Sequence, residues 1–163
     1  SVTPTNYVLS GKRHAYGLEI DVAGRITPRW EIFVSYAWIA KAVIDKGASN
    51  GTTLLQGELV GAWPGVTPKH SGTIWTTYQI DPKWRIGGGI NWRSNMMPLL
   101  APTITAPSYT TLDLMAEYAV ARDLLLKLNV TNVTDKLFAD ALYRGHYVPG
   151  APRTIQLTAS YKF

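Results

Sequence analysis

Residues 153–163 read Arg-Thr-Ile-Gln-Leu-Thr-Ala-Ser-Tyr-Lys-Phe. Ile155, Leu157, Ala159, Tyr161 and Phe163 are apolar or aromatic, while Thr154, Gln156, Thr158, Ser160 and Lys162 between them are polar. Successive side chains leave a strand on opposite sides, so a strict period of two marks a strand with one dry and one wet face. A soluble sheet alternates in the same way, and the stretch alone selects only a β protein. It becomes decisive because the pattern recurs upstream, with aromatics at intervals that suit a membrane barrel.

Upstream, Leu124, Leu126, Leu128 and Val130 lie opposite Lys127, Asn129 and Thr131. Leu112, Leu114, Ala116 and Tyr118 lie opposite Asp113 and Glu117. Trp84, Ile86, Gly88, Ile90 and Trp92 alternate with Arg85, Gly87, Gly89, Asn91 and Arg93. A strand over 73–80 puts Ile74, Tyr78 and Ile80 on one side, with Trp75 breaking the other. Trp30, Ile32, Val34, Tyr36, Trp38 and Ala40 face away from Glu31, Ser35 and Lys41, with Phe33 and Ile39 as exceptions. Tyr16, Leu18, Ile20 and Val22 alternate with Gly17, Glu19, Asp21 and Ala23, and residues 6–9 are a candidate end of an earlier strand. The result is an all-β chain of seven strands, in which short turns (27–29, 81–83, 121–123) alternate with longer loops (44–68, 94–108, 132–152). Alternate connections of an antiparallel up-and-down barrel lie at the same end, so one end is trimmed and the other elaborated. Transmembrane barrels show this asymmetry, with short periplasmic turns and long extracellular loops.

The tryptophans supply a ruler. Trp30 and Trp38 are eight residues apart on one outward row, and so are Trp84 and Trp92. Eight residues at about 3.3 Å each, tilted by about 40°, span roughly 20 Å of the barrel axis, close to the apolar band between aromatic girdles. Tyr118, Tyr161 and Phe163 fall near the short-turn end of outward rows. Trp30, Trp38, Trp84, Trp92, Tyr118 and Tyr161 are therefore the expected membrane-interface aromatics. Six Trp and nine Tyr against three Phe is the matching compositional bias.

Composition excludes several classes. No apolar run approaches the roughly 20 residues of a spanning helix. No cysteine is present, which removes disulfides and thiolate metal sites. The net charge is +5, but the 16 basic residues are scattered rather than gathered in a stripe, so no nucleic-acid partner is expected. His14, His70 and His146 lack metal-ligand spacing. His70 and Ser71 are neighbours on a strand and point to opposite faces, so they form no catalytic dyad. Gly87-Gly88-Gly89 has no phosphate-loop setting and reads as a strand site that needs small residues. Ser1 opens in mid-pattern without a signal segment, which suggests a piece of something longer.

Inward Glu19, Asp21, Glu31, Asp113 and Lys127 suggest a wet lumen. Lumen-side Arg85 and Arg93, with loop residues Trp63, Tyr143, Arg144, His146 and Tyr147, are the candidates to touch an anionic or aromatic ligand. Arginine offers a charge-assisted fork, and the aromatics offer stacking faces.

Three segments in order, Leu128-Asn129-Val130-Thr131-Asn132-Val133-Thr134-Asp135-Lys136, Pro149-Gly150-Ala151-Pro152-Arg153-Thr154 and Ser160-Tyr161-Lys162-Phe163, resemble the carboxy-terminal end of TonB-dependent siderophore receptors. Gly17-Leu18-Glu19, Pro68-Lys69-His70 and Pro107-Ser108-Tyr109 upstream are similar to that family too. The resemblance implies a 22-stranded plugged barrel. Residues 1–163 would be the carboxy-terminal portion of its barrel domain, about the last seven to eight strands, with the plug domain not in this chain. It further implies an outer-membrane receptor and transporter of ferric siderophores, energised by TonB and not an enzyme, with a lean toward catecholate ligands. No cofactor would be bound directly, and iron would enter as the ferric siderophore. The implied partners are the rest of the receptor, the TonB complex through the missing amino-terminal part, the lipid bilayer, and the outer-membrane assembly machinery, which would read Tyr161 and Phe163 on the last strand. The implied location is the outer membrane of a Gram-negative bacterium.

Three other readings compete. A complete eight-stranded barrel with a structural or adhesive role would use residues 6–9 as its eighth strand, but Gly17, Ala23, Gly87 and Gly89 are small for filling its interior. A barrel lipid hydrolase needs a converging Ser and His. A soluble β-sandwich would leave the Leu124-Leu126-Leu128-Val130 row without a reason to face outward.

Overall fold

The computed structural model describes residues 11–49 and 53–163, so the expected strand end at 6–9 lies outside the described residues. The strands are β1 (Lys12–Thr27), β2 (Trp30–Lys46), β3 (His70–Gln79), β4 (Trp84–Arg93), β5 (Tyr109–Ala119), β6 (Leu124–Thr131), β7 (Ala139–Tyr143), β8 (His146–Pro149) and β9 (Thr154–Tyr161). One seven-stranded sheet runs in the order β1-β2-β3-β4-β5-β6-β9, antiparallel throughout. β7 and β8 pair separately as a hairpin. Among the described residues β1 and β9 each have one sheet neighbour, so the sheet is an open length of barrel wall.

Local chemistry places the short turns. Asp81 Oδ1 accepts hydrogen bonds from the Lys83 and Trp84 amides, both at 2.7 Å, which folds the chain from β3 into β4. Thr27 Oγ1 accepts from the Arg29 amide at 3.3 Å in the turn before β2.

Register then turns alternation into rows, because directly opposed residues share a face. Val22, Val34, Ile74, Ile90 and Leu112 stand side by side across five strands. Ala116, Leu128 and Leu157 continue the apolar face across β5, β6 and β9. On the opposite face Asp21, Ser35, Thr73, Asn91 and Thr111 line up. Residues 132–152 fold over this polar face, which makes it the inner one. The apolar rows are left bare, with Val22 and Leu157 respectively 50% and 69% exposed, as a lipid-facing wall requires.

The inward aromatics that break the sequence pattern are explained here. Phe33 and Trp75 are cross-strand partners, and Trp75 lies over Gly89. A Cβ on Gly89 would come within 2.6 Å of Trp75 Cε3 and collide with the Ile74 carbonyl oxygen. The small residue is there because an indole ring occupies the space.

Two stretches differ from expectation. β2 does not keep one phase to its end: Tyr16 pairs with Lys41 and Gly17 with Ile39, so Ala40 is squeezed out of register as a β-bulge. The bulge reverses the alternation. Ala42 and Ile44 turn inward and are buried, and the loop after β2 folds back on them. The Ile44 amide donates to Ala62 O at 3.1 Å, and Ile44 O accepts from the Gly61 amide at 2.9 Å. Ala40 therefore does not extend the outward row. The second difference is 132–152, read as a loop, which carries the β7–β8 hairpin; its turn is made by Arg144 and Gly145, the latter at φ +80°.

Candidate functional site

The inner wall carries two polar groups at different heights. Near the short turns, Glu31 is held by Arg25 at 2.9 Å and paired with Arg85. Arg85 also donates to Thr77 Oγ1 at 2.8 Å. Glu117 and Lys127 pair at 3.1 Å on the adjoining strands. Arg85 is thus committed within the wall, well away from the long loops.

Arg93 stands at the other end of the same strand, beneath the β7–β8 hairpin. Its Nη1 donates to Asp140 O at 3.1 Å and its Nη2 to Ala139 O at 2.8 Å. Its guanidinium lies 5.0 Å from the Tyr109 ring centre, and Tyr109 packs on Phe138 with centroids 4.3 Å apart. Nε is buried without a hydrogen-bond partner. A cleft of about 500 Å³ opens here, lined on the wall side by Ser35, Thr73, Asn91, Arg93 and Asp113. It mixes a guanidinium, carboxylates and hydroxyls, a set that suits a polar, multiply hydrogen-bonding ligand.

Asn132 anchors both arms of the segment above. Its Nδ2 donates to Lys136 O at 2.9 Å and Ala151 O at 3.0 Å, and its Oδ1 accepts from the Lys136 amide at 2.9 Å. Its own amide donates to Asp113 Oδ1 at 2.7 Å. Asn132 sits at φ +49°, the left-handed region that asparagine tolerates better than most residues. In the sequence Asn132 and Tyr109 stand only within family-like motifs and carry no assigned role, and Phe138 stands in none. The signal was the Thr131-Asn132 step, where an apolar row ends on a residue suited to a left-handed turn.

A second, apolar cleft of about 430 Å³ lies between the 94–108 and 132–152 loops, bounded by Pro98, Ile104, Leu137, Leu142, His146 and Tyr147. Tyr143 and His146 stack at the hairpin tip, centroids 5.0 Å apart and ring planes nearly parallel. Tyr143, Arg144, His146 and Tyr147 are exposed together there. Trp63 belongs elsewhere: its Nε1 donates to Thr67 O at 2.7 Å, and Lys69 Nζ lies 5.3 Å from its ring. Of the seven ligand candidates, the structure gathers four at the hairpin tip and puts Arg93 at its base. It leaves Trp63 packed in its own loop and Arg85 at the far end of the wall.

In the first long loop Glu58 is nearly inaccessible, paired with Arg13 and accepting from the Ala48 amide at 3.2 Å. Burial pushes its carboxyl up, but the Arg13 guanidinium and the Ala48 amide outweigh it and hold the group below its ordinary value.

The outward aromatics form two levels. Trp30 pairs with Tyr78, Trp84 with Tyr118 at 4.6 Å between rings, and Tyr161 meets Phe163 edge-on at 5.7 Å, all at the short-turn end. Tyr36 stacks between His70 and Trp92 at the loop end, where Trp38 also lies. His70 is thus an outward aromatic partner, on the face opposite Ser71. Among the described residues no group of three or more His, Asp or Glu is placed to hold a metal ion.

The family model described as "TonB dependent receptor-like, beta-barrel" matches residues 1–133. The chain is 30% identical over 99% of its length to a probable TonB-dependent siderophore receptor, PiuA, of Acinetobacter baumannii, and covers 22% of that protein. It is 32% identical over 96% of its length to the catecholate siderophore receptor Fiu of Escherichia coli K12, covering 20% of it. The crystal structure of PiuA superposes with a TM-score of 0.84 at 27% identity, over 94% of this chain and 22% of that one. The closed form of the E. coli ferric-catecholate import receptor Fiu gives a TM-score of 0.77 at 31% identity, over 94% and 21%. The chain spans about a fifth of the length of the curated relatives it matches.

Proposed function

The chain belongs to the TonB-dependent receptor-like β-barrel family, and on that premise we propose that it supplies part of the wall and three extracellular loops of an outer-membrane receptor that imports ferric siderophores. The observation that carries this reading is the sheet's two-sidedness. A bare apolar face fits lipid, a hydrogen-bonded polar face fits an aqueous lumen, and the long loops all stand at one end over a polar cleft. The catecholate lean is supported by the similarity to Fiu.

The working order we assign runs from the hairpin tip inward. The exposed ring pair Tyr143–His146, with Arg144 and Tyr147, meets the ferric siderophore first, offering stacking faces and a cation to an anionic aryl ligand. Arg93 and the polar cleft receive it deeper. Iron is cargo held by the siderophore, so the wall needs no metal ligands of its own. Differential binding alone cannot concentrate a solute across a membrane. The energy must enter from outside this chain, and we assign that step to TonB acting on a plug carried by the rest of the receptor. Edge strand β9, with Tyr161 and Phe163 outward, is assigned to recognition by the outer-membrane assembly machinery. The aromatics Trp30, Trp38, Trp84, Trp92, Tyr118 and Tyr161 are assigned to the two membrane interfaces.

The test is uptake of radiolabelled ferric siderophores by cells that depend on the receptor carrying this chain, with and without TonB. Uptake of a catecholate complex that vanishes without TonB is expected. TonB-independent passage, or no binding of any ferric siderophore by the purified receptor, would sink the proposal.

A further inference from the structure

Gly87-Gly88-Gly89 has so far been explained on one side of the sheet only. Gly87 and Gly89 point inward, where Thr77, Met115 and Trp75 fill the space above them. Gly88 points outward. A Cβ there would meet Leu114 Cδ2 at 3.0 Å and Asp113 O at 3.3 Å, and the leucine methyl can swing aside. The sheet's own packing therefore does not demand a glycine at 88, although glycine weakens a strand interior. Its effect is a trough on the apolar face of about 500 Å³, bounded by Trp30, Thr76, Tyr78, Ile86, Gly88 and Leu114.

The trough is almost free of polarity. Trp30 Nε1 donates to Thr76 Oγ1 at 2.7 Å, and that hydroxyl donates on to Glu31 O at 2.9 Å, so the two side-chain polar atoms satisfy each other and the backbone. Two short turns lie below it. Arg29 and Lys83 are exposed on neighbouring short turns, Arg29 O accepting from the Gln79 amide and Lys83 O from the Ala119 amide. Neither side chain enters an ion pair among the described residues. Asp81 shares the Lys83 turn and keeps its negative charge while Oδ1 accepts from two amides, so Arg29, Lys83 and Asp81 together carry a net charge of +1.

We propose that this trough seats one acyl chain of a glycerophospholipid from the periplasmic-side leaflet, with the phosphate drawn to Arg29 and Lys83. In a bilayer there is no hydrophobic gain in moving a tail from lipid to protein, so retention rests on shape and on the headgroup. The missing side chain at 88 leaves a recess flanked by Trp30, Tyr78, Ile86 and Leu114, where a tail makes more contacts than on a level wall. The interfacial rings of Trp30, Tyr78 and Trp84 hold the wall at headgroup depth, and the cations attract the phosphate. The inference rests on the membrane placement proposed above and not on the transported ligand.

The experiment is native mass spectrometry of the receptor carrying this chain, extracted from outer membranes and exchanged into lipid-free detergent. The wild type is expected to retain a phospholipid that Gly88→Leu loses, with Gly88→Ala intermediate. Arg29→Gln combined with Lys83→Gln is expected to lower retention while leaving the trough open. Gly88→Ala keeps the test valid if leucine disturbs folding. Equal retention by wild type and both Gly88 variants overturns the proposal. So does no phospholipid on the wild type, or an adduct with the mass of a lipopolysaccharide or a second receptor copy. Siderophore uptake is read in parallel: unchanged uptake without a bound lipid overturns this site alone.

Discussion

Asn132 combines a left-handed backbone with three side-chain hydrogen bonds that tie both arms of one loop. Removing one partner from a buried polar set costs about 1–3 kcal/mol for each group left unsatisfied. Asn132→Ala should therefore free residues 133–152, read as faster amide hydrogen exchange there, with β1–β4 unchanged. Asn132→Gly keeps the backbone shape but loses the bonds. If it exchanges like the wild type, the side chain is not the anchor. Glu58 gives a pH prediction at the same scale. Its folded pKa lies below the ordinary 4.5, so the stability it contributes is fully present above 4.5 and is lost as pH falls through the lower folded value. Proteolysis of the 53–69 segment should accelerate in the wild type as the pH falls below 4.5 and through the lower folded value. That acid response should be much weaker in Glu58→Gln, which lacks the titrating carboxyl; an identical pH profile would rule out the Arg13–Glu58 pair as its source.

At the scale of elements, the bulge at Ala40 decides where the first long loop sits. Inserting one residue between Tyr16 and Gly17 gives Ala40 a partner and removes the bulge, and the one-residue slip moves every later side chain of β2 to the other face. Ala42 and Ile44 should then face lipid and the 47–69 loop should lose its seat, detectable as new cleavage sites in that loop on intact cells. The seven strands, their short turns and the apolar rows were legible in the sequence because alternation is local. The bulge was not, because Ala40 is a small apolar residue on an apolar row, and only pairing with β1 shows that it is skipped. The β7–β8 hairpin was missed for a related reason. Its strands are five and four residues long and its residues mix polar and apolar without a period, so tertiary anchors rather than pattern hold it. The same gap scattered the ligand candidates: residue chemistry chose Arg85 and Trp63, but neighbours already engage both.

For the whole molecule, the orientation of the wall is the claim with the widest reach. Leu128 and Asn129 are adjacent on β6 but face lipid and lumen respectively. An arginine on the lipid face near the bilayer midplane costs about 2–4 kcal/mol, whereas a lumen substitution costs little. Leu128→Arg should therefore lower the stability of the receptor folded into vesicles by that order in urea titrations, and Asn129→Arg should not. A larger cost for Asn129→Arg would mean that the faces have been assigned the wrong way round, and equal costs would mean that the two faces do not differ in their surroundings.

The grip of Arg93 on the hairpin uses two main-chain oxygens, those of Ala139 and Asp140. Any residues at those positions would offer the same two oxygens. The mount is thus indifferent to the side chains at those two positions, and the four exposed side chains at the tip are not part of it. Such a fixture behaves like a tool holder: the bit can be exchanged while the chuck stays the same. The side chains at 143, 144, 146 and 147 can therefore change around the fixed turn glycine, Gly145, without the chain relearning how to fold.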